Sequence, residues 1–162
     1  MISDFYKNLP KKRMGTGVLI FDEENKILIV KPTYKDNWSL PGGIVEQDES
    51  PRNACLREVE EEIGIELKKI EFVCIDYVKG NEEKDENLQF IFQYPKLNLE
   101  QKSNIKIDGK EIGEFRFVEY KEAIKLFGGL TTKMAKRVVK CIDSINKDKP
   151  IYLENEENYY AK

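Results

Sequence analysis

Apolar residues cluster in short runs near the start of the chain. Residues 14–21 (MGTGVLIF) and 26–31 (KILIVK) are rich in aliphatic side chains, and the turn-forming sequence DEEN separates them. Apolar runs of this length predict buried strands, and the short polar connection between them predicts a β-hairpin. Residues 38–40 predict a third, shorter strand that ends at the sequence PGG.

The spacing of apolar residues changes to a helical period in the next segment. Ser50 is a good N-cap, Pro51 suits the first helical position, and Gly64 can take the left-handed conformation that ends a helix. We therefore predict a helix over residues 51–63. Its buried stripe is predicted to consist of Leu56, Val59 and Ile63.

The remainder of the chain alternates between strand-like and helix-like patterns. Strands are predicted at residues 70–78, 88–94 and 114–118. Helices are predicted at residues 120–127 and 131–146, and a polar loop at residues 97–110. Strands and helices in mixed order indicate an α/β protein with a mixed sheet, the first helix on one face and the C-terminal helices on the other.

The length of the chain, 162 residues, suits one compact domain. We predict a single domain over residues 1–162, with residues 1–13 as an N-terminal arm. Residues 147–162 form a C-terminal tail that is either loosely held or packed on the domain or on a partner. No apolar run approaches the roughly 18 residues that a membrane span needs, and the first residues lack a signal-peptide core. We therefore expect a cytoplasmic protein without membrane contact.

The residue types present exclude several kinds of catalytic site. The chain contains no histidine, which excludes Ser-His and Cys-His nucleophilic catalysis and histidine metal sites. Cys55, Cys74 and Cys141 are widely scattered, which argues against a disulfide framework and a structural zinc site. Carboxylates remain as the natural metal ligands. The net charge of −3 gives no reason to expect nucleic acid as a partner.

Three glutamates gather on one side of the predicted helix. Glu58, Glu61 and Glu62 are separated by three and four residues and fall nearly opposite the apolar stripe. Like charges at this spacing repel one another, so this face is either an ordinary solvated surface or a site for a cation. Mg²⁺ prefers oxygen ligands and is commonly shared between a few carboxylates and substrate phosphates.

The positions around these glutamates follow the Nudix box, GX5EX7REUXEEXGU, in which U is aliphatic. Its fixed positions are occupied by Gly43, Glu49, Arg57, Glu58, Glu61, Glu62 and Gly64. The chain therefore resembles the MutT/Nudix hydrolases, and the preceding sequence WSLPG is similar to the lead-in common in that family. The order of strands, loops and helices is similar to the family pattern from about residue 14 to residue 145.

The resemblance implies a Nudix-type α/β/α sandwich that hydrolyses a nucleoside diphosphate linked to another group, with Mg²⁺ or Mn²⁺ as the cofactor. Carried over by position, Glu58, Glu61 and Glu62 are the metal-binding and catalytic carboxylates. Glu61 and Glu62 are expected to bind the metal, and Glu58 either binds metal or accepts a proton from the attacking water. Arg57 is expected to orient the glutamates through hydrogen-bonded ion pairs. The expected catalytic residues are thus Glu58, Glu61 and Arg57, with Glu49 bracing the same network.

The resemblance also suggests roles for residues around the helix. Gly42 and Gly43 are expected to let the backbone approach metals and phosphates closely, whereas Gly64 is expected to be a structural cap. Family members often recruit one more carboxylate from a later loop. Glu111 is the first candidate for this extra metal ligand and Glu114 the second, with plain surface charges as the alternative.

Two further residues are candidates for substrate binding. Lys31 closes the second predicted strand, where it either binds phosphate or is a solvated strand-end lysine. Trp38 either stacks on a base or belongs to the core.

The substrate is indicated only by the absence of subfamily signatures. ADP-ribose pyrophosphatases tend to carry a proline a little past the box, and residues 65–80 contain none. This favours a MutT-like (d)NTP pyrophosphohydrolase that releases a nucleoside monophosphate and pyrophosphate. The alternatives are a hydrolase of ADP-ribose, a nucleotide sugar or a dinucleoside polyphosphate, and a noncatalytic nucleotide-binding regulator. Homodimers are common among similar proteins, so the resemblance is compatible with a homodimer.

Overall fold

The structure is a computed structural model that describes residues 3–158. Within that range the strands are β1 (Arg13–Ile20), β2 (Ile27–Pro32), β3 (Glu71–Val78), β4 (Asn87–Tyr94), β5 (Ile112–Val118), β6 (Ile151–Glu154) and β7 (Glu157–Asn158). The helices are α1 (Asp4–Lys7), α2 (Pro51–Ile63), α3 (Leu99–Ser103), α4 (Tyr120–Leu126) and α5 (Lys133–Asn146).

The strands form one large mixed sheet and one small antiparallel sheet. The large sheet has five strands in the order β1-β4-β3-β6-β7, and the small one pairs β2 with β5. In the large sheet, β1 runs parallel to β4 and β3 parallel to β6, while the other neighbours are antiparallel. The predicted α/β class with a mixed sheet is confirmed.

The prediction that residues 14–31 form a hairpin is wrong. An isolated bridge between Phe21 and Ile27 joins β1 to β2, but β1 pairs along its length with β4 and β2 with β5. Both strands are buried over most of their length, and strands buried on both faces require packed layers on each side. The two apolar runs therefore lie in different sheets inside the core, next to partners that are distant in sequence.

The core has two halves because successive residues of β1 point to opposite faces of the sheet. Val18 and Ile20 pack in one hydrophobic cluster with Val59 on α2. Leu19 packs in the other cluster with Val138 on α5. The helices thus cover both faces of the large sheet, with α2 on one face and α5 on the other.

The predicted bounds of the central helix are confirmed. The Ser50 hydroxyl accepts a hydrogen bond from the backbone N–H of Asn53 at 3.2 Å, and Pro51 occupies the first turn. Gly64 ends α2 in the left-handed conformation with φ +70°. These local signals act within a few residues of each helix end, which is why the sequence alone located both ends.

Residues 97–110 are not entirely loop as predicted, because α3 lies within them. Its N-terminus is a capping box in which Asn98 and Gln101 each hydrogen-bond the other's backbone N–H. None of the residues of this short helix is buried. It therefore carries little of the apolar periodicity on which the sequence prediction depended.

The C-terminal segment packs on the domain as far as residue 158. β6 extends the large sheet beside β3, and β7 pairs with β6. Residues 159–162 of the predicted tail, like residues 1 and 2 of the predicted arm, lie outside the described residues. Within residues 3–158, every helix is too short or too polar to cross a membrane.

Candidate catalytic site

A loop rich in glycine runs along the free edge of β1 and meets α2. The backbone N–H of Thr16 donates to the carbonyl of Gly43 at 2.8 Å, and that of Val18 donates to the carbonyl of Pro41 at 3.0 Å. The N–H of Val45 donates to Met14 at 3.0 Å. These bonds attach residues 41–45 to the sheet, so the loop has a fixed position relative to the helix.

Neither of the loop's two glycines has room for a side chain. Gly42 has φ +139°, and a Cβ there would lie 2.2 Å from the backbone oxygen of Thr16. A Cβ on Gly43 would lie 2.3–2.6 Å from the carboxyl atoms of Glu58. The loop backbone and the Glu58 carboxylate are therefore in direct contact because residue 43 is glycine.

Arg57 joins the acidic residues of the site to one another. Its Nε and Nη2 donate to the two carboxyl oxygens of Glu49 at 3.0 and 3.1 Å. Its Nη1 donates to Glu58 and to Glu61, each at 3.0 Å. Nη2 also donates to the carbonyl of Ile44 in the glycine loop at 3.1 Å. The guanidinium thereby fixes three carboxylates and the loop, and its hydrogen bonds hold the pKa of Glu49 below its usual range.

Glu62 is buried, so at this position the side of α2 opposite the predicted apolar stripe is not a solvated surface. Its side chain accepts a hydrogen bond from the backbone N–H of Gly42 at 2.8 Å, and the residue is 7% exposed. Burial raises the pKa of Glu62 to about 8, and the nearby charges of Glu58 and Glu111 add to that rise. The spacing correctly placed Glu62 on the same side of α2 as Glu58, but the glycine loop covers that side of the helix.

The other two carboxylates differ from Glu62 and from each other. The side chain of Glu58 is 14% exposed, and burial raises its pKa although the hydrogen bond from Arg57 opposes the rise. The side chain of Glu61 is 57% exposed. In the predicted apolar stripe, Val59 and Ile63 are fully buried whereas Leu56 is only partly so. The buried side of α2 is thus rotated toward Glu58 and Glu62.

The carboxylates of the site are chemically suited to bind a hard cation. In this structure, however, their oxygens do not converge on one point. Within residues 3–158, no three acidic or cysteine side chains are arranged so that they could hold one metal ion. Arg57 holds Glu58 and Glu61, while Gly42 holds Glu62. Burial raises the pKa of Glu62 most, the charges of Glu58 and Glu111 raise it further, and a divalent cation would relieve that repulsion.

The two candidates for an extra carboxylate have different surroundings. Glu111 is exposed, and its charge raises the pKa of both Glu58 and Glu62, so it lies within electrostatic reach of them. Glu114 is paired with Arg116 at 2.7 Å. The structure therefore associates Glu111 with the glutamates of α2.

The two candidate substrate-binding residues lie in the small sheet and beside it. Trp38 is 8% exposed and belongs to the hydrophobic cluster under α5. The guanidinium carbon of Arg116 lies 4.7 Å from the centre of its ring. Trp38 is thus placed in the core, which was the alternative to base stacking. Lys31 is half-buried on β2, opposite Glu114 on β5.

Tyr34 and Lys35 also lie at the site, although they were not among the residues predicted from the sequence. Thr33 fixes their loop through hydrogen bonds to the carbonyls of Lys110 and Glu111 at 2.6 and 2.9 Å. Tyr34 is 76% exposed, yet desolvation of its hydroxyl and the charges of Glu62 and Glu111 raise its pKa. Desolvation lowers the pKa of Lys35, with the charge of Glu62 opposing. In the sequence, the feature that could have indicated this part of the site is a lysine, Lys35, in the loop just before the WSLPG segment.

A family model and several known proteins match this chain. The model of the NUDIX domain matches residues 11–140. The mRNA-decapping enzyme subunit 2 of Saccharomyces cerevisiae is 38% identical over 88 residues, which are 54% of this chain and 8% of that protein. The RNA pyrophosphohydrolase of Nitratiruptor is 34% identical over 96 residues, covering 54% of this chain and 61% of that protein. The matches therefore span less than two thirds of either relative.

A solved structure supports the fold. The MutT protein from Methanosarcina mazei Go1 superposes with a TM-score of 0.62 at 20% sequence identity, and the match covers 88% of this chain and 99% of that one. At this identity the likeness concerns the architecture, which is the α/β/α sandwich expected from the sequence.

Proposed function

Because the chain belongs to the NUDIX family, we propose that it hydrolyses the diphosphate linkage of a nucleoside diphosphate derivative with a divalent cation, Mg²⁺ or Mn²⁺. The observation that carries the proposal is the Arg57 network, which joins Glu49, Glu58 and Glu61 to the glycine loop through hydrogen bonds of 3.0–3.1 Å. An ordinary solvated acidic surface would not need Arg57 to hydrogen-bond several glutamates. It would also not need a glycine, Gly43, in contact with the carboxylate of Glu58.

The carboxylates of α2 would hold the cation. Glu58, Glu61 and Glu62 are the proposed ligands, with Glu111 as the additional one. When bound, such a cation neutralises the charge of a diphosphate and lowers the pKa of a coordinated water. Glu58, whose pKa is raised by burial, is also suited to accept a proton from the attacking water.

The remaining residues of the site would bind and orient. Arg57 would hold Glu58 and Glu61 in place, because the N–H groups of its planar guanidinium can donate to carboxylates on different sides at once. Gly42 and Gly43 would allow the phosphates to approach the loop backbone. Lys35 offers a positive charge near Glu62 and would balance the charge of the phosphates, as Lys31 would at the end of β2.

Two substrate classes follow from different observations. A Nudix box without a recognisable subfamily signature favours a MutT-like hydrolysis of a free (d)NTP to a nucleoside monophosphate and pyrophosphate. The sequence relatives favour a phosphorylated RNA 5′ end, since the matched proteins are named as a decapping enzyme subunit and an RNA pyrophosphohydrolase. Both substrates present the same linkage between phosphates to the glutamates.

A substrate panel with product identification tests the proposal. The panel contains the eight common (d)NTPs, ADP-ribose, a nucleotide sugar, a dinucleoside polyphosphate and RNA oligomers with a 5′-triphosphate or a 5′ cap, each with Mg²⁺ or Mn²⁺. We expect metal-dependent cleavage of the diphosphate linkage, identified by mass spectrometry, on at least one of them. Absence of turnover on every compound would reject hydrolysis and favour a noncatalytic nucleotide-binding regulator.

A further inference from the structure

The strand β5 has one unpaired side. Within residues 3–158, the small sheet consists of β2 and β5 alone, so each pairs with the other along one edge. None of residues 113–117 in β5 is buried. The strand contains no proline and no lysine, which are residues that commonly protect a free edge from pairing with another chain. We call the unpaired side of residues 113–117 the β5 edge.

The backbone groups of Phe115 and Phe117 point toward the β5 edge. Val30, which lies opposite Phe115 in β2, both donates to and accepts from Ser39 at 2.9 Å on the other side of β2. Hydrogen-bonded and non-hydrogen-bonded pairs alternate along an antiparallel ladder, so Phe115 and Phe117 both turn their N–H and C=O groups away from β2. No hydrogen bond within residues 3–158 joins these groups to another strand or loop.

The side chains that flank Phe115 carry opposite charges. Glu114 and Arg116 lie on the same face of β5, because side chains two residues apart in a strand point the same way. They form an ion pair at 2.7 Å, and about half of each side chain is exposed. Read in the opposite direction, the strand therefore presents the opposite order of charges. This makes the β5 edge complementary to a second copy of itself.

The charges select one register for such self-pairing. Residues whose backbone groups point outward must pair with one another, so Phe115 can lie opposite residue 113, 115 or 117 of a second copy. The first choice places the two Glu114 side chains opposite each other, and the last choice does so for the two Arg116 side chains. Like charges directly opposite are destabilising. With Phe115 opposite Phe115, each Glu114 lies opposite an Arg116, and the two aromatic rings form a favourable cross-strand pair.

We propose that the β5 edge binds the β5 edge of a second copy of this chain. The two strands run antiparallel about a two-fold axis at Phe115, so that the two small sheets join into one four-stranded sheet. A strand from an unrelated protein could satisfy the backbone groups, but it would not in general match the order of Glu114 and Arg116. The contact involves none of the glutamates of α2 and does not depend on the proposed hydrolysis.

Sedimentation velocity of the full chain over a range of concentrations tests the proposal. We expect an equilibrium between monomer and dimer. Arg116→Glu places glutamate opposite glutamate twice in the symmetric contact, and it should weaken association by at least about tenfold. Glu114→Arg should act equally, since it places arginine opposite arginine. Lys140→Glu is the matched control, because it makes the same change of net charge at an exposed position on α5, and it should leave association unchanged.

An equimolar mixture of the Arg116→Glu and Glu114→Arg variants separates a contact between copies from the ion pair within one chain. In the mixture, each glutamate at the β5 edge again lies opposite an arginine, although neither chain retains its own pair. We expect heterodimers of about wild-type affinity, detected with a fluorescent label on one variant.

Three results would overturn the proposal. The first is a wild type that stays monomeric up to about 500 μM. The second is an Arg116→Glu variant that associates as the wild type does, which would place the interface elsewhere. The third is a mixture in which the two variants do not associate with each other.

Discussion

At the scale of single residues, the glutamates of α2 are not equivalent. Glu61 is largely exposed and bonded to Arg57, Glu58 is mostly buried against Gly43, and Glu62 is buried against the N–H of Gly42. A buried carboxylate costs free energy unless it is hydrogen-bonded or paired. Glu62 has one backbone donor and like charges nearby, so this position destabilises the metal-free protein in a way that a site for a cation would explain.

Glu61→Gln and Glu62→Gln should separate catalysis from stability. Each removes a proposed metal ligand and should lower kcat by about two orders of magnitude on the substrate found with the panel. Glutamine at position 62 keeps an acceptor for Gly42 and removes a buried ionisable group whose pKa is raised on folding, so the free energy of unfolding in EDTA should hold or rise. At exposed position 61 it should change by less than about 0.5 kcal/mol.

Glu60→Gln is the control for both variants, because Glu60 is exposed on the same helix. It should leave kcat and unfolding unchanged. Near-normal turnover in either of the other two variants would mean that the ligand assignment is incorrect.

At the scale of elements, the site arises where the glycine loop docks between β1 and α2. The ends of α2 depend on Ser50 and Gly64, which are adjacent to it in sequence. The loop depends on hydrogen bonds to Thr16 and Val18, which are distant in sequence. Its two glycines meet different neighbours, since Gly42 faces backbone and Gly43 faces a side chain. Substitutions at the two positions should therefore have different consequences.

Gly43→Ala should reduce activity while preserving stability. The new Cβ would overlap the Glu58 carboxylate, which is the end of a flexible side chain and can move away. We expect at least a tenfold loss of kcat, roughly what a loosened site costs, and little change in unfolding by urea. Gly42→Ala should instead destabilise the protein by about 2 kcal/mol or more, because φ +139° and the oxygen of Thr16 both oppose a side chain.

Gly113→Ala serves as the reference, since a Cβ on that strand glycine would meet only ordinary contacts, the nearest at 3.4 Å. It should affect neither measurement. A Gly43→Ala protein with full kcat would show that contact between the loop and Glu58 does not matter for turnover.

At the scale of the whole molecule, a buried charge network joins the sheet, α5 and the C-terminal strands. Asp76 on β3 is 0% exposed, Arg137 on α5 is 5% exposed, and Glu156 in the turn between β6 and β7 is 6% exposed. Arg137 Nε donates to Asp76 at 2.7 Å, and the backbone N–H of Glu156 donates to Asp76 at 3.1 Å. Removing one member leaves a buried charge without compensation.

Arg137→Met should therefore lower the free energy of unfolding by about 3–5 kcal/mol. Combining it with Asp76→Leu should restore part of that loss, because the Arg137–Asp76 pair is then removed as a unit while Glu156 remains. Lys136→Met, at the exposed neighbouring position, is the control and should change stability by less than about 0.5 kcal/mol. Denaturant unfolding of the wild type, the single variants Arg137→Met and Asp76→Leu and the double variant measures the coupling, and additive effects would contradict a direct interaction.

The sequence by itself determined the features that depend on neighbouring residues. The caps of α2 lie within three residues of its ends, and the spacing of Gly43, Arg57 and Glu61 identified the family and the acidic side of the helix. Because an α-helix has a fixed number of residues per turn, the spacing alone determines which side chains share one face of the helix. The order of strands and helices likewise indicated the α/β class.

Only the tertiary structure decided which of several compatible partners each element meets. β1 and β2 have the same apolar character, and nothing within them specifies that they pair with β4 and β5 rather than with each other. Glu62 is buried because a loop distant in sequence covers it. Pairing and burial follow from the packing of the whole core, whose free energy is shared among residues far apart in sequence.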